Sequence, residues 1–430
     1  MADTATAQEH GHTAAIDRIS YHDLYKRWEN GNWKSTELDF SQDRKDWHET
    51  FSDLERRAAL WNYSMFFHGE DSVTDNLSPY IDAAPLEEQK YFLATQQVDE
   101  ARHAVFFGRF MREVVERGES IGGSLAATEP ELTWGFRKTF AYLDKVADGL
   151  RKDRSIPNFA AAIMMYHLLV EATLAQPGQH FIESYLAERG IMPGFYEGMQ
   201  NVSRDEQRHI GFGVKVLSDC IKQDPDSKYA IANLMREIMP TMIGVFVPPN
   251  WDRRYVEVFG STMEEVYEHG MVSLEQKMRS AGLPLEDLPG APPIPRELSP
   301  RERAERGLDM LRAGYLGEKT GPPDRDPEKL AMLFDSIQRS VDTAATPNGA
   351  ATIQWDFQDA PPWFLRIDNG ATSVTQGRLE HPDLALRCRL EDWIDITAGR
   401  EDPRLAMVKG KLRPKGRIRM LMRMPKLFGR

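Results

Sequence analysis

Apolar side chains recur every three or four positions through most of the first 280 residues and alternate with period two only after residue 350. Trp47, Phe51, Leu54, Ala58 and Trp61 share one helical face, and the pattern runs from Asp46 through Phe66, Phe67 and Glu70 to about Tyr80. Pro85 falls in the first turn of a second helix, where its missing N–H costs little; this helix carries Tyr91, Phe92 and Val98 to about Arg117, before Gly118 and Gly122-Gly123. A third helix covers about Leu132 to Arg151. A fourth begins near Pro157 with the apolar run Ala160 to Met165 and passes Glu171, and a fifth follows Pro193 and carries Glu206 and His209. Two further amphipathic stretches, 227–244 and 252–279, suit packing or dimer helices. Residues 46–280 are therefore expected to form an all-α bundle, preceded by an N-terminal lead of residues 1–45.

Beyond residue 280 the pattern changes. Pro284, Pro289, Pro292, Pro293, Pro295, Pro300, Pro322 and Pro323 crowd residues 281–326, with one helical piece near Glu302 to Ala313, which predicts a semi-rigid linker. Residues 327–430 then read as a small α+β domain. A helix from Pro327 is followed by Ile353, Trp355 and Phe357 alternating with Gln354 and Asp356, and Trp363 to Asp368 runs into the hairpin signal Asn369-Gly370. Leu384, Leu386, Cys388 and Leu390 alternate again, and Asp402-Pro403 marks a capped helix start.

Net charge is −12 over 430 residues, which argues against nucleic acid as the main partner. Two cysteines, Cys220 and Cys388, show no metal-type spacing and suit a reducing, cytoplasmic setting. No basic start leads into an apolar core at the N-terminus, and the most apolar run, Ile238 to Pro249, is broken by Pro240, Pro248 and Pro249, so the chain is expected to be soluble or at most peripheral to a membrane.

The chemistry lies in a phrase written twice. Asp99-Glu100-Ala101-Arg102-His103 and Asp205-Glu206-Gln207-Arg208-His209 both read Asp-Glu-x-Arg-His, and each follows a helical glutamate, Glu70 or Glu171, by 30 to 35 residues. Glu and His three apart on a helix lie on one face, so each copy can offer a carboxylate and an imidazole to one point. Two such helices with one Glu from each of two others make a four-helix dimetal carboxylate site. The expected ligands are Glu70, Glu100, His103, Glu171, Glu206 and His209; four carboxylates with two imidazoles suit iron or manganese. Asp99 and Asp205 are placed to accept the second ring N–H of a ligating histidine. His68, His167 and His180 do not match the repeat and are assigned to core or surface, and Phe66, Phe67, Phe106, Phe107 and Phe110 to the core.

Phe66 to Thr74, Tyr166 to Glu171 and the doubled motif resemble the ferritin-like ligand-binding oxidases related to the ribonucleotide reductase small subunit. That resemblance implies a ferritin-like helical bundle holding a Mn/Fe or Fe/Fe centre, O₂ as co-substrate, and a long-chain, fatty-acid-like ligand. It also implies an ether cross-link between the positions of Val73 and Tyr166. Val73 shares a face with Glu70, whereas Tyr166 lies about 140° from Glu171 on an ideal helix, so a distorted turn is required to bring it near. After the linker, Ile394, Gly399, Asp402-Pro403, Lys409 to Leu412 and Lys415-Gly416 resemble a sterol carrier protein type 2 lipid-binding domain.

The expectation is an oxidase or oxygenase in which two reduced metals convert O₂ to a high-valent intermediate that abstracts hydrogen from a lipid-like ligand. Alternatives are a di-iron N-oxygenase, a protein like the ribonucleotide reductase small subunit or, in another class, a non-enzymatic lipid carrier with a structural metal site. A homodimer is expected. Arg404 to Arg430 carry ten Lys and Arg and no Asp or Glu, which makes peripheral contact with an anionic membrane a further partner expectation beside a solvated basic face.

Overall fold

The structure is a computed structural model that describes residues 19–290, 295, 297–343, 346 and 349–428. The chain divides into two compact units: one runs to Ile231 and includes Val247–Asp287, and the other joins Ala232–Phe246 to Leu288–Arg430.

The first unit is all-α. Helix α1 (Tyr21–Asn30) starts at Ser20, whose hydroxyl accepts the Asp23 N–H. Residues 21–45 were expected in a lead, but they belong to the bundle. Tyr21 and Leu24, three apart, are buried, and the Tyr21 hydroxyl donates to Asp219 at 2.6 Å while accepting from Gln89 at 2.8 Å. The helix expected to run unbroken from Asp46 is split: a π-helical turn, Asp46–Thr50, ends at extended Phe51, and α2 (Asp53–Ala83) begins afresh. Ser52 and Glu55 explain the break, since each satisfies the other's backbone N–H in a capping box. Helix α3 (Glu87–Glu113) packs beside α2.

Helix α4 is continuous over Ile156–Arg189, but its middle, Met164–Ala175, winds as a π-helix. Among the described residues it alone is long and apolar enough to cross a membrane, and here it is mostly buried in the bundle. Helix α5 (Pro193–Gln223) completes the site-bearing set. One end of the bundle is filled by aromatic rings: Phe195 lies 4.2 Å from Phe110 and 4.5 Å from Tyr63, centroid to centroid. Phe66, Phe67, Phe106, Phe107 and Phe110 are all buried, each worth roughly 1.5–3 kcal/mol of transfer free energy.

The second unit is α+β. Its five-stranded sheet has the order β3-β2-β1-β4-β5, with β1 Ala350–Phe357, β2 Trp363–Asp368, β3 Ala371–Gln376, β4 Leu384–Cys388 and β5 Arg413–Gly416. β1 and β4 run parallel and the other neighbours antiparallel. Asn369 and Gly370, both at positive φ, make the two-residue turn between β2 and β3.

The described residues of the proline-dense stretch 288–326 fall inside this unit, whereas Pro292 and Pro293 lie outside the described residues. Helix α6 (Pro300–Arg312) carries a Ser299/Glu302 capping box, and its Arg306 bonds to Met332, Asp335 and Ser336 on α7 (Pro327–Arg339). Arg400 then donates to the carbonyls of Gly314, Leu316 and Gly317, tying the stretch after α6 to the turn that follows α8 (Leu390–Thr397). The last helix among the described residues is α9 (Ile418–Leu427), with Met420 and Leu427 turned into the core and Arg419, Arg423 and Lys426 exposed.

Candidate metal centre

Each site helix presents its acidic residue at a buried position: Glu70 from α2, Glu100 and His103 from α3, Glu171 from the π-helical part of α4, and Glu206 and His209 from α5. They assemble as two overlapping groups able to hold an ion, Glu70-Glu100-His103-Glu206 and Glu100-Glu171-Glu206-His209. The ligand atoms of each group lie within 4.8 Å of one another. Glu100 and Glu206 belong to both groups.

Both imidazoles turn Nδ1 inward and Nε2 outward. His103 Nδ1 is 3.2 Å from Glu70 and 3.4 Å from Glu100; His209 Nδ1 is 3.1 Å from Glu100 and 3.5 Å from Glu171. The outward nitrogens meet the aspartates crosswise: Asp205 faces His103 Nε2 and Asp99 faces His209 Nε2, each at 3.2 Å. Each motif copy thus orients the histidine of the other copy.

Arg208 ties the two aspartates together, at 2.5 Å from Asp99 and 3.0 Å from Asp205, and Arg102 reaches Asp99 at 3.0 Å. Two half-buried indoles close the outer layer: Trp28 donates to Asp99 at 3.0 Å and Trp33 to Asp205 at 2.8 Å. Asp205 is accordingly held far below the usual carboxylate range, because its bonds and charges from His103, Arg208 and Trp33 outweigh burial. Neither tryptophan is marked by sequence spacing, since the partners lie 71 and 172 positions away.

The inner layer depends on the π-helix. With hydrogen bonds running i to i+5, five residues make about one turn, so Tyr166 comes round to the side of Glu171. Its hydroxyl donates to Glu100 at 2.5 Å and accepts from Gln96 at 2.9 Å, and Gln96 also donates to Glu171 at 2.8 Å. The remaining oxygen of Gln96 is 3.1 Å from His167 Nε2. Gln96 went unnoticed in the sequence although it sits one turn before Glu100 on the same face. His167 lies in the core as expected, where burial pushes its pKa down to about 3 and keeps it neutral. Gly213 on α5 allows this close approach, because a Cβ there would lie 2.2 Å from that of His167. Val73 is buried on α2 one turn after Glu70. His68 bonds Thr128, and His180 stacks with His269, both away from the cluster.

Electrostatics mark the cluster as built for cations. Burial pushes Glu70 up to about 8 and Glu171 up to about 7, and burial with the charges of Glu171 and Glu100 raises Glu206 well above the carboxylate range. Glu100 moves the other way: burial opposes it, but His209 and His103 together hold it low. Both histidines are raised despite burial, His103 chiefly by Glu70 and Asp205, His209 by Glu100 and Asp99. Two buried carboxylate oxygens, Glu171 Oε2 and Glu206 Oε2, make no hydrogen bond, and His209 Nδ1 meets Glu100 at 3.1 Å without the geometry of one. Buried polar atoms are rarely left so. Oxygen-rich donors with two nitrogens fit two iron or manganese ions, and these three atoms are where such ions would be accommodated.

Residues 14–243 match the family model for the ribonucleotide reductase small chain, and residues 333–429 match that of the SCP-2 sterol transfer family. Among solved structures, a single-site variant of an R2-like ligand-binding oxidase with anaerobically reconstituted Mn/Fe cofactor aligns at 23% identity and TM-score 0.53, over 61% of this chain and 93% of that one. Another variant, with aerobically reconstituted Mn/Fe cofactor, gives 24% and 0.52 over 62% and 94%. A third, with aerobically reconstituted Fe/Fe cofactor, gives 22% and 0.52 over 61% and 93%. At these identities the likeness is one of fold.

Proposed function

Because the chain belongs to the ribonucleotide reductase small-chain family through residues 14–243, we propose that it is a dimetal oxidoreductase that uses O₂ on a lipid-like ligand. The observation that carries the proposal is the buried six-residue cluster with three donor atoms left without a hydrogen bond. Two ions, Mn/Fe or Fe/Fe, would supply one-electron redox chemistry and activation of O₂ when bound.

In this reading Glu70 and His103 serve one ion, Glu171 and His209 the other, and Glu100 and Glu206 are shared. Asp99 and Asp205 fix the imidazoles with Nδ1 inward, and Arg208 and Arg102 balance the aspartate charge so that the outer layer adds little negative field. Buried apolar side chains around the cluster exclude water and so protect a reactive centre. Tyr166 is held at the cluster by the hydrogen bond its hydroxyl donates to Glu100. Joining its oxygen to a Val73 carbon would remove one hydrogen from each residue, with O₂ as the oxidant. A lipid-like ligand is supported by the phrase "ligand-binding oxidase" carried by the solved relatives and by the sterol-transfer match of residues 333–429. The exposed Arg419, Arg423 and Lys426 of α9 support contact with an anionic membrane. A homodimer in the cytoplasm completes the reading.

Protein loaded with iron and manganese should consume O₂, and its intact mass should fall by two hydrogens. The variant carrying Glu100→Ala and Glu206→Ala should do neither. Undiminished O₂ consumption in that variant overturns the reading in favour of a carrier.

A further inference from the structure

We infer that Gln96, its amide fixed by His167, is a positioning residue that restricts Glu171 to one ligating oxygen and so leaves room beside it for a small neutral molecule. This rests on the reading of the cluster as a dimetal centre and names the side on which that centre is open. Gln96 is fully buried on α3, one turn before Glu100, and His167 is fully buried in the π-helical part of α4. The two meet end to end, with Gln96 Oε1 3.1 Å from His167 Nε2.

Hydrogen-bond chemistry decides which way round the amide sits. One end of it meets three oxygens, Glu171 Oε1 at 2.8 Å, the Tyr166 hydroxyl at 2.9 Å and Glu100 Oε1 at 3.5 Å, and a carboxylate holding a cation only accepts. That end is the NH₂. The carbonyl end therefore faces His167, whose Nε2 carries the hydrogen. With Gln96 donating to it, the Tyr166 oxygen directs its own hydrogen to Glu100 at 2.5 Å. From His167 through Gln96 to Tyr166, each donor has one direction. Glu70, by contrast, meets the His103 ring at 3.2 Å.

The consequence lies at Glu171. Its Oε1 carries the Gln96 hydrogen bond while its Oε2 makes none, so the carboxylate offers an ion Oε2 alone unless the amide lets go. Hydrogen bonds to a charged oxygen are the strong ones. A reactive metal site needs a coordination position that the protein leaves unfilled, and here Gln96 withholds the oxygen that would fill it. The surroundings select what enters: Tyr80 packs on Tyr166 at 5.9 Å and Phe92 on His209 at 6.4 Å, both fully buried, so an ion or a strongly solvated group is disfavoured and a small uncharged molecule is not.

The test loads the full-length protein with Fe(II) in the absence of O₂ and titrates it with nitric oxide, a small neutral probe of open positions on ferrous iron, read by electron paramagnetic resonance. Gln96→Leu and His167→Leu release Glu171 Oε1, and each should lower nitric oxide affinity about tenfold while both irons stay bound by metal analysis. His167→Gln keeps an N–H near the place of Nε2 and should restore affinity to within about twofold, which a ring that only fills space would not explain. Unchanged affinity in Gln96→Leu overturns the inference, and so does a His167→Gln protein that behaves like His167→Leu. Iron loss from Gln96→Leu overturns it too, by showing that the amide holds Glu171 in place rather than restricting it. If His167→Leu does not fold, Gln96→Leu decides. Unsubstituted protein that takes up iron but not nitric oxide overturns this inference and leaves the dimetal reading standing, whereas failure to take up iron overturns both.

Discussion

Around Glu70 and around Glu171 the same motif is completed by helices of different kinds. Glu70 sits on a regular α-helix, and the residue one turn on is Val73, an alkyl group. Glu171 sits in a π-helix that carries Tyr166 into the cluster and meets Gln96, with His167 behind it. On the outward side the halves are alike, each a Trp-Asp-His chain crossed between copies. The repeat therefore dictates how the histidines are held, whereas the helix type dictates what else can approach. Beside Glu171 the chain places an amide and a phenol, whereas one turn beyond Glu70 it places an alkyl group.

The sharpest break in this comparison separates shared from private ligands. Glu100→Ala or Glu206→Ala should empty both groups, because each residue belongs to both, while Glu70→Ala or Glu171→Ala should leave one group whole. Metal analysis after reconstitution should find almost no bound ion in the first pair and about one per chain in the second. Equal losses in all four variants would mean that the cluster is not divided as drawn.

Next in size is the outer layer. Asp99→Asn and Asp205→Asn keep shape but remove the charge that orients His209 and His103, and each should weaken metal binding about 10- to 100-fold. The matched geometry calls for losses of similar size. If one variant binds as tightly as the unsubstituted protein, the outward likeness is only apparent.

Much of this is legible in the sequence, and the misses share a cause. Helical periodicity and the doubled Glu-x-x-His place all six cluster residues on four helices, because spacing along a helix is a local property. Gln96 was open to the same argument, one turn before Glu100. Trp28 and Trp33 were not, since their aspartates are distant in sequence and residues 21–45 carry only a short amphipathic signal. A distorted turn near Tyr166 is required by the 140° offset, yet no residue in Met164–Ala175 announces a π-helix. Proline density around residues 288–326 reports local backbone stiffness and says nothing of Arg306 and Arg400, which bind that stretch into the second unit.

A smaller effect tests the electrostatics. Glu70 and Glu171, raised to about 8 and about 7 by burial, hold protons at neutral pH when no cation is present, as do the raised histidines. An incoming cation must displace those protons, so binding should strengthen as pH rises from 6 to 8, with protons released in weakly buffered solution. Affinity that does not change between pH 6 and 8 would show that the cluster is already deprotonated.

The smallest expected change is at Tyr166. Tyr166→Phe removes the donor to Glu100 and the acceptor for Gln96, yet Glu100 keeps His103 and His209, and Gln96 keeps Glu171 and His167. With these partners left, stability should fall by about 1 kcal/mol and metal affinity by less than about tenfold. The loss of two hydrogens should vanish altogether, because the phenol oxygen is gone. Besides the shared Glu100, Tyr166 bonds Gln96, which serves Glu171 and not Glu70, so calorimetric titration should show one of two binding events altered more than the other. If both events weaken together, Tyr166 supports the shared Glu100 rather than one half, and the inner asymmetry belongs to Gln96 instead.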